Sequence, residues 1–271
     1  MRSEIRVLMV SFLLAGLTAC GGSQSSQPAP EVPEKSSSPA PAAEAPAVPP
    51  STPTSSSTPA PAAAAATAES KASPFDPALL NPASLRAKAP KEYEVKFVTT
   101  QGDFVVKVTR AWAPNGADRF YNLTRHHFFD GSSFFRVLPG FVVQFGLSAY
   151  PQVSRVWAQA AIKDDPVVQS NHRGFLTFAM AGPNTRTTQV FINLGANERL
   201  DQMGFSAFGM VTDGMDVVEK LYSGYGEGAP DGNGPNQELI QTRGRTYLER
   251  SFPKLDTIKT ATLVSPGAGE K

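Results

Sequence analysis

From about residue 92 to residue 263 the chain alternates apolar and polar positions in short runs broken by Gly, Pro, Asn and Asp, a period of two that reads as strand. Tyr93, Val95 and Phe97 alternate with Glu94 and Lys96, and Gln101, Gly102 and Asp103 then turn the chain into an apolar run from Phe104 to Thr109. This predicts a half-buried hairpin. In residues 134–144 the alternation predicts Phe134 and Arg136 on one face, and Val142 and Gln144 on one face of the segment after Pro139-Gly140. Residues 174–193 read as strand, turn, strand, with Gln189 and Phe191 on one side and Val190 and Ile192 on the other. Two stretches switch to helical spacing. In residues 113–126 Pro114 suits a first turn, and Ala117, Phe120, Tyr121 and Leu123 make an apolar stripe. In residues 214–222 Val217, Val218 and Leu221 point inward, with Gly224 as a stop. A last strand spans residues 257–264. Many short strands with two isolated helices predict a mainly β fold, a closed antiparallel barrel with helices over its ends.

The pattern disappears upstream of residue 73. Residues 21–72 hold no aromatic residue and no Leu, Ile or Met, and carry eleven of the chain's 24 prolines among Ala and Ser. Such a stretch cannot bury enough apolar surface to offset the entropy of ordering, so residues 20–72 are expected to form a disordered tether. Before it, Arg2 and Arg6 flank an apolar run from Val7 to Leu17, too short for a comfortable transmembrane span. The run leads into Leu17-Thr18-Ala19-Cys20, the form of a bacterial lipobox. The expectation is a signal peptide over residues 1–19, cleavage before Cys20, and lipid on Cys20 as the membrane attachment. That makes the chain a lipid-anchored protein of the cell envelope, on the periplasmic or extracytoplasmic face of a membrane, with its folded domain in residues 73–271. Cys20 is the single cysteine, so no intrachain disulfide holds the fold and its core must.

Charge removes several functions. With 25 Lys and Arg against 24 Asp and Glu, a net charge of +1 and no basic run, there is no nucleic-acid footprint. His126, His127 and His172 lack ligand spacing, and no metal or other cofactor is expected. Residues 224–234 mix Gly with Pro, Asp and Asn and read as an exposed loop. What remains is one cation and two carboxamides set into apolar strand sequence: Arg136, Gln144 and Gln189. An arginine cannot shed its proton to enter a core, so it must reach solvent, a partner or a ligand. A paired or snorkelling arginine at a barrel rim meets that demand as well as a ligand-binding one.

Here the sequence closely resembles the cyclophilin family of peptidyl-prolyl isomerases. The ordered landmarks are Gly131, Phe134, Arg136-Val137, Pro139-Gly140-Phe141, Gln144, Gly174, Ala179, Ala181-Gly182-Pro183-Asn184-Thr185, Gln189, Phe191-Ile192, Leu200-Asp201, Phe208-Gly209 and Gly214-Met215-Asp216-Val217-Val218. The resemblance implies eight strands, two capping helices, a monomer, and proline-containing unfolded or exported polypeptides as partners. It implies Arg136 as the catalytic residue, and Phe141, Val142, Phe191 and Leu200 as a proline pocket with Phe205 at its rim. Gln144 would orient Arg136 and the substrate carbonyl, while Met180, Ala181 and Gln189 would line the groove. The chain departs from the family at Phe135, usually His, at Arg199, often an aromatic, at Phe205, where His or Tyr is usual, and at Met180, usually Asn. Residues 147–161, with Trp157, stand where the family has a glycine-rich loop. A cyclophilin-like binding or chaperone module with little turnover is the alternative reading, and a structural envelope protein using the fold as a spacer is a third.

Overall fold

The computed structural model describes residues 73–264. The expected signal peptide, Cys20 and tether lie outside the described residues. The strands are β1 (Glu92–Thr99), β2 (Asp103–Thr109), β3 (Arg136–Leu138), β4 (Val142–Phe145), β5 (Phe175–Phe178), β6 (Val190–Asn193), β7 (Ala207–Asp213) and β8 (Ile258–Val264). They form one eight-stranded sheet in the order β3-β4-β6-β5-β7-β2-β1-β8. Every pairing is antiparallel. The predicted hairpin is β1–β2, with Tyr93, Val95 and Phe97 buried and Glu94, Lys96 and Val98 less so.

The sheet has two ends, β3 and β8, where the pattern predicted full closure. They meet at a single bridge, Ser133 with Thr257. It is flanked by the Gly131 N–H to the Ile258 carbonyl (2.8 Å) and the Phe134 N–H to the Asp256 carbonyl (3.0 Å). The closed barrel is therefore corrected to a curled sheet with a bridged seam, because β3 pairs only with β4 and the contact across the seam is made by the residues before it. The same irregularity separates Phe134 from Arg136. Phe134 fills the barrel core with Val137, whereas Arg136 opens the regular strand and faces the groove.

Aromatic rings dominate the interior. Phe97 and Phe104 stack at 4.8 Å, Phe120 and Phe129 lie 5.3 Å apart, and Phe134 meets Phe145 edge-on at 5.3 Å. Each ring is essentially sealed from solvent, a burial worth about 1.5–3 kcal/mol per side chain.

The predicted first helix is α1 (Pro114–Arg125), its buried stripe including Ala117, Phe120 and Leu123. Its N-cap position is Ala113, which has no side chain to offer. The cap comes from Asp165, whose two carboxylate oxygens accept the Asn115 and Gly116 N–H groups at 2.9 Å each. The described residues hold four further helices, α2 (Pro151–Trp157), α3 (Met215–Glu219), α4 (Gln237–Arg243) and α5 (Arg245–Ser251), so the expectation of two is corrected. Of these, α3 is the second helix the spacing predicted. Helix α2 is pinned by Trp157, which packs edge-on against Phe128 at 5.7 Å and donates its indole N–H to the Leu79 carbonyl at 2.8 Å. Helices α4 and α5 close over Phe135, which joins Leu147, Ile240 and Leu248 in a small apolar cluster outside the barrel. A hydrophobic ring where the family usually has His is accounted for by this lid.

Asp165→Ala is expected to destabilise the protein by at least about 1–2 kcal/mol, the worth of a helix N-cap, because the same carboxylate also faces the buried Arg186 at 3.6 Å. In a thermal melt that is a fall of about 2–4 °C per kcal/mol for a domain of this size. Asp165→Asn keeps an acceptor and is expected to lose less; an unchanged melting temperature for Asp165→Ala would show that α1 does not depend on this cap.

Candidate active site

Strand register builds the site. Arg136 on β3 lies opposite Gln144 on β4, and Gln144 lies opposite Phe191 on β6. Alternation turns Val143 and Phe145 into the barrel core and leaves Val142 and Gln144 for the groove. On β6 it sends Val190 and Ile192 to the core and Phe191 outward. The loops above these strands are tightly fitted, since a Cβ on Gly195 would overlap the Gly140 carbonyl oxygen.

Four polar side chains run in a line along one wall. The Gln189 carboxamide oxygen accepts from Gln144 Nε2 at 2.9 Å, and the Gln144 oxygen accepts from Arg136 Nη1 at 3.2 Å. The other edge of the guanidinium is gripped by Glu227, Nε to Oε1 at 2.6 Å and Nη2 to Oε2 at 2.7 Å. Arg136 has 18 % of its side chain exposed. Burial pushes the Glu227 carboxyl up, but the hydrogen bond and charge of Arg136 outweigh that and hold it below the usual glutamate range.

Beside this line sits an apolar cluster of Val142, Phe191, Leu200 and Phe205, with Phe141, Ala179 and Met180 packed against it. Phe191 and Phe205 meet edge-on at 5.8 Å. Phe141 carries two guanidinium groups over its ring, Arg136 at 5.7 Å and Arg199 at 5.3 Å. Of the residues named from the sequence, Arg136, Gln144, Gln189, Phe141, Val142, Met180, Phe191, Leu200 and Phe205 therefore converge. Ala181 does not join the apolar cluster. It is exposed in the following turn, where its N–H donates to the Thr185 hydroxyl at 2.9 Å.

The cluster rests on a buried polar frame that the periodicity did not reveal. Asn171 donates to Asp201 at 2.7 Å and to the Phe205 carbonyl at 2.8 Å, and its oxygen accepts from Thr177 at 2.7 Å and Asn193 at 3.2 Å. Asn197 donates to Asn193 at 2.8 Å and to the Phe141 carbonyl at 2.9 Å. Burial pushes the Asp201 carboxyl up, but hydrogen bonds from Ser170 and Asn171 hold it below the usual range. Behind Phe205, Arg186 is almost fully buried and donates to the Gly204 carbonyl at 2.9 Å and the Ser206 hydroxyl at 3.1 Å. Asp164 at 3.2 Å and Asp165 at 3.6 Å face its charge.

Glu227 was missed because residues 224–234 read only as a loop, and its partner lies 91 residues upstream. The one usable signal was a lone acidic side chain flanked on both sides by glycine.

Chemically, this wall offers a fixed cationic donor beside an apolar cluster, with no nucleophile and no acid–base pair among the residues that form it. No group of His, Cys, Asp and Glu among the described residues is arranged to hold a metal ion. A family model for cyclophilin-type peptidyl-prolyl cis-trans isomerases matches residues 94–241. Peptidyl-prolyl cis-trans isomerase B of Escherichia coli strain K12 is 31% identical over 180 residues, covering 63% of this chain and 99% of that protein. Peptidyl-prolyl cis-trans isomerase-like 1 of Rhizopus delemar is 33% identical over 131 residues, covering 47% of this chain and 79% of that protein. Peptidyl-prolyl cis-trans isomerase-like 3 of Mus musculus is 32% identical over 127 residues, covering 45% and 78%. With the model spanning more than half of the chain and the bacterial relative matched along nearly its whole length, this chain belongs to the cyclophilin-type peptidyl-prolyl cis-trans isomerases.

Proposed function

We propose that Arg136 carries the isomerase rate, and that Val142, Phe191, Leu200 and Phe205, with Phe141, seat the proline ring. Gln144 and Gln189 align the donor and the chain preceding the proline. We further propose that the enzyme serves proline-containing unfolded or exported polypeptides at the cell envelope, as a monomer held by lipid on Cys20. The observation that carries the catalytic part is the Arg136–Gln144–Gln189 hydrogen-bonded line along the edge of an apolar pocket.

The X–Pro bond has a cis form only about 0.5–1 kcal/mol above trans, yet a barrier of about 18–20 kcal/mol from amide resonance. As the amide twists, its nitrogen regains a lone pair and becomes a hydrogen-bond acceptor. A guanidinium N–H aimed at it binds the twisted form better than either planar form, which is catalysis by differential binding. No proton changes owner and no covalent bond to the protein forms. The apolar cluster holds the ring while the preceding residue rotates, and its low polarity strengthens the donor.

Arg136→Ala is expected to lower kcat/KM on a short Xaa-Pro peptide by about 100- to 1,000-fold, the cost of one preorganised donor. Arg136→Lys recovers only part, since an ammonium cannot reproduce a planar fork. Activity is expected to be flat between about pH 6 and 8 because no titrating base takes part. The one carboxylate in the line, Glu227, has its pKa depressed by Arg136, so the pair persists until pH falls through that lowered value. A folded Arg136→Ala protein with wild-type activity would remove the arginine from the reading. A wild-type enzyme with no turnover but measurable peptide binding would leave a binding module.

The anchoring part rests on the Leu17-Thr18-Ala19-Cys20 motif after a short apolar run. Cys20→Ala, expressed in a bacterium that processes lipoproteins, is expected to give unprocessed or released protein without acyl label. Unchanged mass and membrane partition would rule the anchor out.

A further inference from the structure

The loop after α3 is folded around one side chain. The Glu227 backbone carbonyl accepts the Gly234 N–H at 2.7 Å, and Gly228 bridges Gly234. A Cβ on Gly234 would stand 2.7 Å from that carbonyl oxygen, and one on Gly232 would overlap it. The glycines are thus required by how closely the chain wraps residue 227. Outside the wrap, Tyr225 packs edge-on between Tyr222 at 5.1 Å and Phe252 of the α5 end at 5.0 Å, which fixes the loop to the body of the domain. The Gly228 N–H donates to Glu227 Oε1 at 2.9 Å, so the carboxylate is itself held in direction.

A guanidinium has five N–H groups. In Arg136 the Nε–H and one Nη2–H go to Glu227, and one Nη1–H goes to Gln144. One N–H on each terminal nitrogen is left. Glu227 holds the Nε/Nη2 edge, while Nη1 faces Gln144 and, through it, the groove.

We propose that Glu227 is a positioning residue for the isomerisation, fixing the plane and heading of the Arg136 guanidinium so that its two remaining N–H groups act as preorganised donors. This rests on Arg136 being the rate-carrying donor. Without the carboxylate the guanidinium would keep a single side-chain hydrogen bond, the 3.2 Å contact to Gln144, and would turn about its terminal torsions. A donor that wanders by about 1 Å can cost on the order of 100-fold in rate. A brake is the opposite role, in which Glu227 would compete with substrate for the cation. The geometry speaks against it, because the carboxylate takes the edge away from Gln144 and its loop is a tight, braced wrap.

The test is a double-mutant cycle in the full-length protein, using cis/trans exchange of a short Xaa-Pro peptide to read the rate on the enzyme separately from peptide affinity. Glu227→Gln is expected to slow exchange about 10- to 100-fold, with peptide affinity within about twofold of wild type. Glu227→Asp, which keeps the charge on a shorter arm, is expected to recover part of the rate. In an Arg136→Ala background, Glu227→Gln is expected to add no further loss. Wild-type or faster exchange in Glu227→Gln overturns the inference. So does a parallel loss of rate and affinity in both Glu227 variants, which would mark the loop as structural only. If Arg136→Ala itself keeps its rate, the catalytic reading fails first. If Arg136→Ala is slow while Glu227→Gln is not, this inference alone fails.

Discussion

The Arg136 guanidinium is a cation that the fold holds largely out of water beside an apolar cluster. An unpaired charge in that position would cost several kcal/mol. The architecture around it answers that demand: a carboxylate on one edge, a carboxamide line on the other, and an aromatic ring under the carbon. Supplying the carboxylate takes a whole loop, since Glu227 needs the glycine wrap, the wrap needs Tyr225, and Tyr225 leans on Phe252. The same connection between β7 and β8 carries α4 and α5, which roof Phe135.

Arg186, which is fully buried, does for the pocket what the part-buried Arg136 does for the donor line. Arg186 ties the turn before Phe205 to Asp164 and Asp165, and Asp165 also caps α1. Burial pulls the Arg186 pKa down while the two acids push it back up, with burial the stronger. The Asn171–Asn193–Asn197 frame completes the support from the other side. The pocket's apolar lining therefore stands on polar footings, which is why its side chains keep their positions though they contribute little to the main core.

Local order was legible and long-range pairing was not. The hairpin, α1, α3 and the inward–outward alternation of β4 and β6 follow from periods of two and 3.6 that any short window contains. The convergence of Arg136, Gln144 and Gln189 was legible through the family's ordered landmarks. Phe134 and Arg136 parted because the strand starts two residues later than the alternation implies. Helices α4 and α5 are seven residues each, too short for a stripe to stand out, and what stabilises them is contact with Phe135 and Leu147 far upstream. The Glu227–Arg136 pair and the Asp165 cap leave no periodic trace at all, because each joins positions dozens of residues apart.

The seam has a consequence for how such an enzyme can vary. The chain between Leu221 and Thr257 lies outside the sheet and returns to it at the bridged end, where only a few backbone hydrogen bonds join residues 131–134, just before β3, to residues 256–258 at the start of β8. Length and composition can change there without breaking a ladder or shifting a register. Since the strand at that end begins with Arg136, every such change arrives next to that guanidinium. The barrel thus separates its permanent part from its adjustable part, and the adjustable part is two helices and a loop that meets Arg136 from outside.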